Sequence, residues 1–215
     1  MEKNNYNTDE LKQGAKDTYN EAKEALKNID LKSEAKVTES FLKEFLNNPY
    51  NGVVLAAQAK NANLNLALML IGIWTVSVAV AQLISFFRFT WVNFWSVFQA
   101  ALAPLVSVVV LSIIITIINK NKSKSLTEIL TVVIITRIPM IVASVISILN
   151  VLSTETVRLT NPIATFAHGL SVILLYIAMR TMTSEQEDKS FMTFVIMYGL
   201  FFVVRFVISF LGIWI

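Results

Sequence analysis

The chain changes character once, near Leu64. Before that point polar positions dominate and the apolar ones recur at helical spacing. After it, five long apolar stretches follow one another, separated by short polar links. They are Leu64–Phe87, Phe94–Ile118, Leu126–Leu152, Pro162–Met179 and Phe191–Ile215. A helix rises about 1.5 Å per residue, so ~20 apolar residues cross the ~30 Å of bilayer hydrocarbon. Each stretch is long enough, the fourth by the smallest margin. None carries the polar face that a helix in a water-soluble domain needs. The pattern predicts an all-α fold, a polytopic transmembrane bundle of five spans over residues 64–215. An amphipathic helical arm over residues 1–48 and a juxtamembrane segment over 49–63 precede it.

Local signals refine these boundaries. Ser125 followed by Glu128 has the capping-box pattern and opens the third span. Asn161 before Pro162 suits the start of the fourth, with proline in the first turn. Pro104 and Pro139 lie inside spans and are expected to kink them, because each removes a backbone donor. The polar first residues lack the pattern of a cleavable leader, so the first apolar stretch is expected to remain as a span.

The arm reads as two helices. Asn7 with Glu10 resembles a capping box for the first, whose stripe of Leu11, Ala15, Thr18, Ala22, Leu26 and Ile29 is only weakly apolar. The second, near Ser33 to Asn47, is stronger: Val37, Phe41 and Phe45 share a face, with Leu42 and Leu46 beside them. Glu39 and Lys43 form an i,i+4 pair on the wet side. The residue before a proline disfavours helix, so Asn48-Pro49 ends this element. The Phe-rich face either lies on the membrane surface or packs against a partner helix. The net charge of residues 1–63 is −1. Attraction to anionic lipid is therefore weak, and any surface contact falls to the apolar face.

Composition supports lipid as the solvent. Apolar residues make up 55% and charged residues 15%, against about 25% charged in soluble domains. The placement of charge sets the orientation. With the N-terminus inside, 14 of the 18 Lys and Arg fall on inner segments; only Arg88 and Arg158 lie on outer loops, and Arg137 and Arg205 lie within spans. Basic residues collect on the cytoplasmic side, which places the N-terminus in the cytoplasm and the C-terminus outside the cell membrane. Trp91, Trp95 and Trp214 then share the outer boundary, where aromatic belts form.

The chemical inventory is short. There is no cysteine and a single histidine, so thiolate zinc sites and the HExxH metal pair are out of reach. No Asp or Glu lies deep in a span, which removes an intramembrane carboxylate dyad and the usual proton relay of pumps. No enzyme, cofactor or metal is expected. What remains within the spans is Arg137, His168 and Arg205. Counted from the span ends at about 1.5 Å per residue, they lie roughly 9 to 17 Å deep. Tyr198 shares a face of the last span with Arg205. Two readings compete. The three residues form a buried basic site for an anionic head group or substrate, or the arginines bond to carbonyls and hydroxyls or snorkel to an interface. Thr165 with Gly169, and Ala143 with Ser147, are small-residue pairs that permit close helix packing.

Three segments carry a family resemblance. Phe41–Pro49 (FLKEFLNNP) resembles an aromatic-rich segment ending in Asn-Pro ahead of a first span. Ser125–Pro139 (SLTEILTVVIITRIP) resembles a third span in which a small polar start leads to a proline. Ser184–Phe191 resembles the polar link before a last span. Together the chain resembles the Yip family of five-span proteins in its bacterial form, with Arg137 as a departure beside the third-span proline. The resemblance implies a non-enzymatic membrane scaffold or accessory subunit for trafficking or export. The alternatives are a permease component of a transporter and an anionic-lipid-binding protein. The partners expected are the lipid bilayer and a membrane protein or second copy of this chain, with no nucleic acid.

Overall fold

The computed structural model describes residues 13, 16–17, 19–20, 23–24, 31–59, 63–88, 93–118, 124–151, 156–183 and 187–210. The expected first arm helix and its cap at Asn7, and the lysines Lys120 and Lys122, fall largely or wholly outside them, as do Trp91 and Trp214. Among the described residues there is no strand. Among the described residues from Leu31 onward, eight α-helices follow in order: α1 (Leu31–Asn47), α2 (Pro49–Gln58), α3 (Leu64–Arg88), α4 (Phe94–Ile118), α5 (Leu126–Thr136), α6 (Ile138–Ser147), α7 (Thr156–Thr183) and α8 (Glu187–Phe210). A short 3₁₀ turn, Ile148–Val151, follows α6.

Stretches within α3, α4, α7 and α8 are long and apolar enough to cross a bilayer as single helices. The third apolar stretch is instead the pair α5 and α6, bent by 49°; counted as one broken span, it brings the crossings to five. The protein is thus a helical, multi-pass membrane protein. Side chains such as Phe202, Val203, Phe206 and Val207 on α8 are exposed. On such a helix that exposure is contact with acyl chains, which costs nothing.

The broken span is the centre of the bundle. Every residue from Thr131 to Ile138 is buried, as expected only of a helix surrounded on all sides. α5 packs on α3, α4 and α7, and α6 packs on α3 and α7. Its start is fixed by the predicted capping box: Glu128 N donates to Ser125 Oγ at 3.2 Å, and Ser125 N donates to Glu128 Oε2 at 2.6 Å.

Pro104 lies inside α4, which is not broken there as the third span is at Pro139. One expectation needs correction. The helix that holds the fourth span does not begin with Pro162 in its first turn. It starts at Thr156, so that Pro162 lies inside α7. A proline forfeits only the bond to the carbonyl four residues back, and at Pro162 that carbonyl belongs to Arg158, in the first turn of the helix, so the turn continues past it.

The arm folds back onto the bundle. Asn48-Pro49 ends α1 but also begins α2: Asn48 Oδ1 accepts from Asn51 N at 3.1 Å, with proline in the first turn. Asparagine as cap and proline at the first helical position are both favoured starts. The segment read as a juxtamembrane link is therefore largely a helix. It packs on α5 and α7, burying Val53 and Ala57, while α1 packs on α3. The Lys124 ammonium donates to the Ala59 carbonyl just past the end of α2.

Candidate functional site

Arg137 owes its place to the backbone around it. Pro139 has no N–H for the carbonyl of Ile135, so the helical ladder cannot run through. Arg137 takes up the break at φ −90°, ψ 0°, in the sparsely used bridge region. Its N–H still donates to Ile134 O at 2.9 Å, and its carbonyl accepts from Ile141 N at 3.0 Å. Thr136 Oγ1 donates to Val133 O at 2.7 Å. The elbow is thus bonded on both sides while its side chain sits at the middle of the bundle, 4% exposed.

The three intramembrane polar residues expected from the sequence, Arg137, His168 and Arg205, converge. The Arg137 guanidinium interacts with the Tyr198 hydroxyl and lies within electrostatic reach of Arg205 and His168. The Tyr198 hydroxyl is 3.4 Å from His168 Nε2. Phe194 stacks on the Tyr198 ring at 5.6 Å and Phe202 meets it edge-on at 5.1 Å, arrangements that aromatic quadrupoles favour. Packing of this kind holds the phenol between α7 and the elbow.

Arg137, His168 and Arg205 line one cavity of about 410 Å³. Its opposite wall is the small-residue face of α4, Ala100, Ala103, Pro104 and Ser107, which explains why space remains there. Pro104 also leaves the Ala100 carbonyl without its usual donor four residues on. Trp74 closes a third side. Its Nε1–H donates to Ser144 Oγ at 3.1 Å, and that hydroxyl donates to Met140 O at 2.9 Å. No carboxylate lines the cavity among the described residues, and no cluster there suits a metal ion. The site is a set of cationic and hydroxyl donors in an apolar frame. Arginine is chemically suited to pair with phosphate or carboxylate, as a forked donor.

The arm residues singled out in the sequence separate. Phe45 is 1% exposed and belongs to the core, Phe41 and Leu42 are half-buried against it, and Val37 and Leu46 are 48% and 57% exposed. The helix that the Phe-rich face meets is the protein's own. Phe45 closes over Gly52, where an added Cβ would lie 2.8 Å from Phe45 Cδ2. A smaller cavity of about 260 Å³ lies beneath this hairpin, between Phe45, Leu66 and Ile135. Of the small-residue pairs, Ala143 is buried, whereas Thr165 and Gly169 are exposed and the glycine has open space before it.

Sequence reasoning missed Trp74, Ser144 and the α4 wall. The signal that could have found the wall is the run of small residues at positions 100, 103, 104 and 107, one helical face that includes a proline. It missed α2 as well, although Asn-Pro is a start signal as much as a stop. Compared with known family models, with curated proteins and with solved structures, the chain matches none.

Proposed function

We propose that this chain is a non-enzymatic multi-pass membrane protein that holds an anionic group inside its bundle, between Arg137 and Arg205. The observation that carries this reading is the buried Arg137 guanidinium beside a cavity with no carboxylate among the described residues that line it. An arginine at mid-membrane costs several kcal/mol unless protein, water or an anion offsets the charge. The Tyr198 hydroxyl is a hydrogen-bond partner for the guanidinium, not a carboxylate.

Thermal unfolding of the purified protein tests it, with an anion series that includes phosphate, sulfate and a short-chain phosphatidic acid. A ligand at 100 times its Kd stabilises the folded state by about 2.7 kcal/mol. The shift is expected for wild type and absent in Arg137→Leu/Arg205→Leu. If no anion moves the transition, or if the shift survives the double substitution, the site reading fails.

A second reading follows the Yip resemblance: a scaffold or accessory subunit with its arm in the cytoplasm, as the lysine distribution favours. The exposed Val37 and Leu46 on α1 support it, since the rest of the apolar face is occupied by the bundle. Crosslinking in cells would distinguish it. Val37→Lys/Leu46→Lys should lose a membrane-protein partner; an unchanged crosslink pattern would count against a docking role.

A further inference from the structure

Resting on the anion-site reading, we infer that the ligand is an anionic amphiphile that enters the cavity sideways from the bilayer. Its phosphate or carboxylate head would pass Arg205 and come to rest on Arg137, while its chains stay among the membrane lipids.

Arg137 is buried at the inner end, whereas Arg205 lines the same cavity and is exposed. The cavity therefore reaches the protein surface at Arg205. That surface is not an aqueous one. Phe202 and Phe206 flank Arg205 on α8 and are 47% and 70% exposed, and the apolar run continues past Arg205 to Ile215. A molecule arriving through this mouth comes from among acyl chains, and a small hydrated anion has no reason to be there. An amphiphile does, because its tail gains what its head gives up.

The dimensions agree. About 410 Å³ falls within the ~300–1,000 Å³ of small-ligand sites and suits a head group better than a whole two-chain lipid. The α4 wall offers only small side chains, Ala100, Ala103 and Ser107, opposite Phe201 and Arg205 of α8. A head can thus slide between α4 and α8 while the exposed Phe202 and Phe206 offer an apolar track for the chain. Two arginines in series make an uneven path. The exposed one captures and the desolvated one holds, because a charge pair strengthens as water is removed. His168 lines the same cavity, with the Tyr198 hydroxyl 3.4 Å from its Nε2.

The test uses the full chain in nanodiscs of phosphatidylcholine doped with phosphatidic acid, read by native mass spectrometry of retained lipid. Wild type is expected to keep phosphatidic acid over phosphatidylcholine. Arg205→Gln, at an exposed position where folding is safe, should lower that retention about tenfold, the scale of one charge-assisted bond. Arg205→Lys should recover part of it, and Arg180→Gln, at the far end of α7, should leave it unchanged. A parallel arm offers inorganic phosphate and dibutyl phosphate as competitors. If the soluble phosphate displaces the lipid or binds as well, bilayer entry is overturned while the anion site stands. Retention that is indifferent to Arg205→Gln also overturns the lateral route. If neither lipid nor soluble anion binds, both readings fall together.

Discussion

Removing the Phe45 ring should undock the arm while leaving the spans in place. Phe45 is 1% exposed and is the largest arm side chain in the core. Truncation of a buried Phe to Ala costs about 3–5 kcal/mol where the site cannot relax. Two features lower the figure here. The cavity of about 260 Å³ beneath the hairpin gives neighbouring side chains room to shift into the space the ring leaves. A detached arm could also rest its apolar face in the membrane interface, so the ring is not lost to bulk water. We therefore expect Phe45→Ala to cost about 2 kcal/mol of docking free energy, transfer of the ring alone being worth about 1.5–3. Because ~1.4 kcal/mol is a factor of ten, this is roughly a thirtyfold rise in arm opening. Hydrogen exchange by mass spectrometry reads it directly, as faster exchange in Leu31–Gln58 with unchanged protection of Thr131–Ile138. Gly52→Ala should loosen the same segment, since its Cβ would meet Phe45 Cδ2 at 2.8 Å. The double variant should then cost less than the sum, because the lost ring vacates the space that the new methyl needs. Unchanged exchange in Phe45→Ala, or strict additivity with Gly52→Ala, would refute this account of how the arm is held.

Three further outcomes are expected. Ser125→Ala removes the acceptor for Glu128 N and should cost about 1 kcal/mol at the start of α5, read as faster exchange over the first turn of that helix. Pro139→Ala restores a donor for Ile135 O and should straighten the 49° bend; two half-helices of ~15 Å set in line gain about 3 Å end to end, measurable by spin-label distances across the elbow. On the arm, the hydrogen bond from Lys43 and then its charge hold the Glu39 carboxyl below its ordinary value. A lowered pKa means that the pair's contribution is present above the unfolded glutamate value of about 4.3 and is lost as pH falls through the lower folded value. Both groups are exposed, so the effect is a small one in acid alone; Lys43→Ala should return the Glu39 titration, followed by NMR, to the usual range.

What the sequence determined by itself is the solvent and the units. Five apolar runs and the scarcity of charge beyond Leu64 require helices that satisfy their own backbone in lipid, because nothing else there can. The capping box at Ser125–Glu128 and the stop at Asn48 are local chemistry between neighbours in the chain, and they are legible for that reason. Arg137, His168 and Arg205 stood out because charge at depth is costly wherever it falls. Their meeting was not legible. It depends on α5 breaking at Arg137, on α7 and α8 turning His168 and Tyr198 to the same point, and on four small side chains of α4 leaving room opposite. Those are relations between helices that lipid leaves free to slide and rotate, so only packing fixes them. The same holds for Phe45: its face was visible as apolar, but its occupant, the protein's own bundle, became known only once the chain had folded back on itself.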